Sequence, residues 1–352
     1  MKCSTAMRRI ITACAAPLAA VLLFPSCTRD RIAAEVQPDE GRVPFTIIVG
    51  GGAGAATRST ASSASDCSLN DVQVFIFNSS GALEASSGII TGTTDAQFSL
   101  IPGNKTVWAV ANVGSVIPGV SSLTAFRSAT SRLSDNTQGD FIMSGSTEVM
   151  VGTGGEASVT VRHIASKVVI DIIRRDFTVS AYKGIPLTIK NIYLSNVAGD
   201  SDYACSGGAP SQWFARLGSV SDFGAVSALI ADTGVNHALA DGTSYTVTHT
   251  FYAYPNPVET DSAGGTWSPR RTRLLVECDY NGRTCYYPVT LPAGGEGTLE
   301  RNRVYHISRL TLTRPGSENP DDSDSEVSSE VNCTVEITVS DWEGDVSYTE
   351  TF

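Results

Sequence analysis

The sequence is poor in charge and in histidine, and it lacks the short motifs that carry catalysis. Only 17% of its 352 residues are Asp, Glu, Lys or Arg, and the balance is acidic, with a net charge of −11. A surface without excess positive charge is a poor match for nucleic acid or bare anionic membrane, so no nucleic-acid partner is expected. The four histidines, His163, His237, His249 and His306, are scattered and no CxxC pair occurs. Each His is best read as a satisfied strand position, and no metal or cofactor is expected. Neither GxxxxGK[ST] nor GxSxG is present, which removes P-loop and serine-hydrolase chemistry. Gly50, Gly52 and Ala55 do satisfy GxGxxA after an apolar run. The residues after them read TRSTASSAS, with no amphipathic helix to receive a pyrophosphate. The four tryptophans, Trp108, Trp213, Trp267 and Trp342, are not spaced as a sugar platform, and packing is their expected role. The expected class is therefore not an enzyme.

What is present is β texture. Val, Ile, Thr and aromatics fall in short runs separated by Gly, Asn, Asp and Pro, and the length suits about two domains. LNDVQVFIF from Leu69 reads as the first firm strand, and Ser121 to Arg132 as a short helix. From about Val161 the strand pattern restarts. Ala198 to Gly242 reads as irregular, and LLVECDYNGRTCYYPV as a hairpin turning at Asn281-Gly282. Asp176 with Arg174-Arg175 reads as an exposed strand end. Pro315 to Glu326 reads as an acidic linker, with Asp321-Asp322 as solvating charge.

The first residues form a targeting segment. Lys2, Arg8 and Arg9 precede the apolar run Ile11–Phe24, and FPSCTRD then presents Cys27 as an acylation site. Ordinary secretion is the competing reading. Removing the first 26 residues deletes three positive charges and no acids, taking the net charge from −11 to −14. Beyond Cys27 lie Cys67, Cys205, Cys278, Cys285 and Cys333, an odd number that cannot all pair. Cys278 and Cys285 would face each other across the hairpin. A disulfide and two free thiols are both open there, and the hydrogen-bonded register suits free thiols better.

Two stretches have strand grammar on loose tethers. FTIIVGGGAGAATRSTASSAS starts with Phe45, Ile47 and Val49 on one face and dissolves into small residues around one cation, Arg58. Near the other end, Val331, Cys333, Val335, Ile337 and Val339 alternate with polar residues, and Trp342 comes shortly after.

In chain order, FPSCTRD, FTIIVGGGAGAATRS, DVQVFIFNSSGALE, KTVWAVANVG, VRHIASKVVIDI and TVEITVSDWEGD resemble the FimA-like major fimbrillins of Bacteroidales, the subunits of type V pili. The resemblance implies an all-β chain with two tandem transthyretin-like β-sandwich domains of Greek-key type. The divisions it implies are a lipoprotein signal (1–26), a propeptide (27–58), and sandwiches over 59–160 and 161–352, with donor strands within 327–352. It also implies an outer-membrane lipoprotein precursor acylated on Cys27 and cut by an Arg-specific protease after Arg58, with Arg42 as second choice. Phe45, Ile47 and Val49 would lie in the removable strand. Val331, Val335, Ile337, Val339 and Trp342 would lie in the donor strand, exchanged with other copies of the chain or related pilins in a cell-surface fimbrium. The competing expectation is a lipid-anchored adhesin or glycan-binding β-sandwich that does not polymerise. The receptor is unspecified under either reading.

Overall fold

Alternation decides most of the strands: where every second side chain is apolar, the chain extends and lays that face on a core. A computed structural model describes residues 41–51, 66, 68–259, 261, 267–292, 297–321 and 332–342, and the backbone of 344–351. The first half contributes β1 (Val43–Gly51), β2 (Asp71–Asn78), β3 (Leu83–Ser86), β4 (Ile90–Thr91), β5 (Asp95–Leu100), β6 (Gly103–Ala111), β7 (Thr130–Arg132), β8 (Met143–Val151) and β9 (Gly155–His163). The second half contributes β10 (Ser166–Ile170), β11 (Ile173–Arg175), β12 (Leu187–Ser195), β13 (Val197–Ala198), β14 (Asp200–Asp202), β15 (Trp213–Phe214) and β16 (Ala231–Ala238). It continues with β17 (Ser244–Tyr245), β18 (His249–Ala253), β19 (Arg273–Tyr280), β20 (Arg283–Thr290), β21 (Arg303–Leu312), β22 (Cys333–Asp341) and β23 (Gly344–Thr351). The chain is nearly all β, as its texture implies.

In the first half the strand order is β3-β2-β6-β8-β9-β1-β5, with β4 also on β2. The path folds over at β8–β9, which pair only at Met143–His163 and Ser144–Arg162. Beyond that corner β8 crosses β9 at Gly145, where a Cβ would sit 2.0 Å from the Thr160 carbonyl oxygen. Only glycine permits that approach. The leaf β9-β1-β5 then faces β2, β6 and β8 across one apolar core, with Val72, Val74 and Ile76 of β2 pointing into it. The other face of β2 and β6 is buried too. Phe75 and Trp108 pack there on Phe126, at ring-centroid distances of 5.4 and 5.0 Å. Phe126 is carried by helix α1 (Leu123–Arg127), whose N-cap Ser122 Oγ accepts the Ala125 N–H.

In the second half β21 is central. It runs parallel to β10 and β11 and antiparallel to β22, which in turn carries β23. A second sheet, β16-β12-β19-β20, shares the large core with it. Three expectations need correction. The irregular stretch holds a strand, β16, pairing on one side only with β12; its largely polar, exposed surface hid it. Arg175 is not at an exposed end but 1% exposed, its guanidinium donating to the carbonyls of Leu239, Tyr182 and Ile185. And the start of the acidic linker is fastened down. Ser317 exchanges two backbone hydrogen bonds with Tyr286 of β20 (2.8 and 2.9 Å), and Pro320 sits on Gly218. Asp321 binds Arg273 Nη1 at 2.6 Å and Arg270 Nε at 3.2 Å, and accepts from Asn196 Nδ2 at 3.1 Å. Arg273 is fully buried, so this carboxylate is a pin rather than solvating charge.

Candidate functional site

Strand β1 occupies the middle of a three-stranded leaf. On one side it runs parallel to β9, from Phe45 opposite Gly155 to Gly51 opposite Val161. On the other it runs antiparallel to β5, from Val43 opposite Leu100 to Ile48 opposite Asp95. Its backbone therefore satisfies two neighbours at once. Phe45, Ile47 and Val49 are 4%, 0% and 2% exposed and belong to the first-half core. Each contributes roughly 1.5–3 kcal/mol by burial. Adjacent strands lie about 4.8 Å apart, so β9 and β5 stand roughly 10 Å from each other, a gap that one strand fills. Without β1, both would present unpaired edges.

Arg42 is exposed immediately before β1, and its Nη1 donates to the Ser99 carbonyl at 2.8 Å. A cut there leaves β1 in place. Arg58, Cys27 and Val331 lie outside the described residues.

Strand β22 lies along β21 from Cys333 opposite Leu312 to Asp341 opposite Arg303. Cys333 and Ile337 are buried, and Val335 and Val339 pack half-buried on the second-half core. Ion pairs Arg309–Glu336 (2.9 Å) and Arg303–Asp341 hold the strand from its polar side. The turn residue Trp342 is 1% exposed. Its ring stacks on His163 (4.0 Å between centroids, 12° between planes), lies 5.7 Å from Tyr252 and meets Phe141 edge-on at 5.4 Å. The four expected donor-strand residues that the structure describes thus pack on their own chain.

Cys278 and Cys285 stand opposite each other in the β19–β20 hairpin and are free thiols. Asn281 and Gly282 turn the hairpin with φ of 54° and 82°. Burial pushes both thiols above the ordinary cysteine range. A cavity of about 580 Å³ opens beside β8 and β9, lined by Trp108, Arg162, Cys205, Arg301 and Asp341 among others. Arg301 there donates to the backbone carbonyls of Ser144, Arg162 and His163. Among the described residues no three His, Cys, Asp or Glu side chains converge as a metal set.

Residues 42–174 match the family described as major fimbrial subunit protein (FimA). Over that segment the chain is similar to FimA. That family consists of structural fimbrial subunits, not enzymes. A fimbrilin (FimA) from Porphyromonas gingivalis shares the fold, with a TM-score of 0.60 at 15% identity over 86% of this chain and 98% of its own. A protein from Parabacteroides distasonis described as a cell adhesion protein gives 0.61 at 17% identity over 88% of this chain and all of its own. The tip fimbrial protein Mfa3 from P. gingivalis gives 0.51 at 14% identity over 86% of this chain and all of its own. No curated protein matches the sequence.

One residue near the site was missed from sequence. Asp66, eight positions after Arg58, is 1% exposed. Its Oδ2 accepts from Lys167 Nζ at 3.0 Å, and its backbone oxygen accepts from His163 Nε2 at 2.7 Å. A single acid after a run of small residues carries no local signal that it will be buried against a strand about 100 positions away.

Proposed function

We propose that this chain is a fimbrial subunit that polymerises by replacing its own first strand with a strand from a neighbouring copy. In this reading the precursor is exported as a lipoprotein on Cys27. An Arg-specific protease then cuts after Arg58, releasing Phe45, Ile47 and Val49 with the rest of β1. The C-terminal strand segment of the next subunit enters the vacated slot, its alternating apolar residues replacing the lost ones and its backbone restoring both ladders. The contact is head-to-tail and non-closing, so it propagates into a filament.

The observation that carries this reading is the position of β1. A strand that is central, apolar on one face, and succeeded by a stretch of small residues with one arginine is a removable plug. Its loss would leave a slot that only another strand fits. An uncut anchored adhesin would have no use for that arrangement.

The test is the N-terminal sequence and intact mass of the protein taken from the native cell surface, with electrophoresis before and after boiling. Chains starting at Ser59 in heat-resistant ladders are expected. An uncut monomer starting at acylated Cys27 would sink the polymer mechanism and favour the anchored adhesin.

A further inference from the structure

The C-terminal strand of this chain is not waiting in solvent; it is locked to its own body, and the lock has identifiable parts. Trp342 sits where both halves of the molecule meet. Phe141 and His163 come from around β8 and β9, and Lys167 and Tyr252 come from β10 and β18. The indole stacks on the His163 imidazole, and Lys167 Nζ stands 5.6 Å from the ring centroid. The same two residues, His163 and Lys167, hold Asp66 by its backbone oxygen and its carboxylate. One side of this pair thus grips the segment beyond the maturation leash, and the other grips the strand to be donated.

The seat is also imperfect. Trp342 Nε1 and Asp66 Oδ1 are both buried without a hydrogen-bond partner among the described residues. Ring packing holds the strand while buried polar atoms go unsatisfied, an arrangement that lowers the barrier to leaving.

We propose that Trp342 is an autoinhibitory latch. Seated between His163, Lys167, Tyr252 and Phe141, it keeps β22 on its own β21 and so withholds the strand from neighbours, and Asp66 sets the strength of the latch by fixing His163 and Lys167. The proposal rests on the strand-exchange reading above and adds its regulation. Release of the strand and the fate of the segment after Arg58 become linked through one cluster.

The test uses the full, uncut chain and hydrogen exchange of peptides spanning 333–341, with the β19–β20 hairpin as internal control. Trp342→Ala is expected to speed exchange in β22 by about a hundredfold or more, the effect of emptying a Trp-sized seat, and to leave the hairpin unchanged. Trp342→Phe, which keeps a ring, is expected to fall between. Asp66→Asn, which keeps the shape and removes the charge, is expected to speed β22 about tenfold. Wild-type exchange in β22 of Trp342→Ala, or of Trp342→Phe should the alanine variant not fold, overturns the latch. Wild-type exchange in Asp66→Asn overturns the role of Asp66. The same chains are then cut after Arg58 and monitored for ladders. Faster ladders from Trp342→Ala support the proposal. If β22 loosens but neither wild type nor variant forms ladders, strand exchange fails while the latch stands. If wild type forms ladders and β22 is not loosened, the latch fails while strand exchange stands.

Discussion

Truncating one side chain of β1 tests whether that strand is a plug. Ile47 is fully buried, and its register partners are Ala96 in β5 and Ala157 in β9. Ile47→Ala would set three methyl groups in a row across the leaf, with nothing nearby on that row able to swing in. Such truncations cost about 2–5 kcal/mol, and the upper part of that range applies where the site cannot collapse. When the chain is cut after Arg58, the fragment carrying β1 is held only by non-covalent contacts. Loss of that energy appears mainly in its dissociation rate, at about tenfold per 1.4 kcal/mol. The expected acceleration is therefore roughly 30-fold to several thousand-fold. The assay is native mass spectrometry of the cut chain over time, counting the fraction that retains the fragment. Thr46→Ala, on the opposite face and half-buried, is the control and should change retention little. If Ile47→Ala releases its fragment no faster than Thr46→Ala, burial does not hold β1 in place and the plug argument is wrong.

The geometry sets three further outcomes. Gly145→Ala puts a Cβ 2.0 Å from a backbone carbonyl, so the β8–β9 crossing must part, and a fall of several degrees or more in thermal midpoint is expected; an unchanged midpoint would contradict the crossing. Arg273→Ala leaves Asp261 and Asp321 without their closest cation; it should cost about 3–5 kcal/mol in denaturant unfolding and speed hydrogen exchange in residues 316–321. Burial pushes Tyr203 and Tyr305 up to about 12, and raises Tyr193, Tyr252, Tyr254 and Tyr287 further. A raised folded-state value means the native chain keeps protons the unfolded chain loses above pH 10. The stability that these tyrosines contribute is therefore complete below pH 10 and falls as pH rises from 10 to 12. Denaturant midpoints across that window should drop, and six of the eleven tyrosines should stay un-ionised by ultraviolet absorbance until the chain unfolds.

How much of this could be read in advance depended on whether the signal was local. The alternation in Phe45, Ile47 and Val49, the Asn281-Gly282 turn and the alternating residues of β22 are patterns of neighbours, and they became the elements expected. The parallel pairing of β1 with β9 joins residues more than 100 positions apart, and no periodicity states a partner. Strand β16 failed to show because an edge strand with polar faces has no hydrophobic period. Arg175 and Asp321 were read as surface charge because composition places charges outside. Each is held by partners that converge only in the folded chain. Trp342 was expected to pack, which it does, but the identity of its seat needed both halves of the molecule.

The pin at Asp321 also gives the molecule a mechanical joint. Twelve positions separate Asp321 from Cys333, so a released strand is on a tether of at most about 40 Å. Under the strand-exchange proposal, that length would cap how far apart two linked subunits can stand. Tension along a fibre would run down the tether and arrive first at the Arg273–Asp321 contact, buried and charged, then at the Ser317–Tyr286 pairing along β20, and only afterwards at the sheets themselves. A shaft built this way would stretch at its joints before its subunits unfolded.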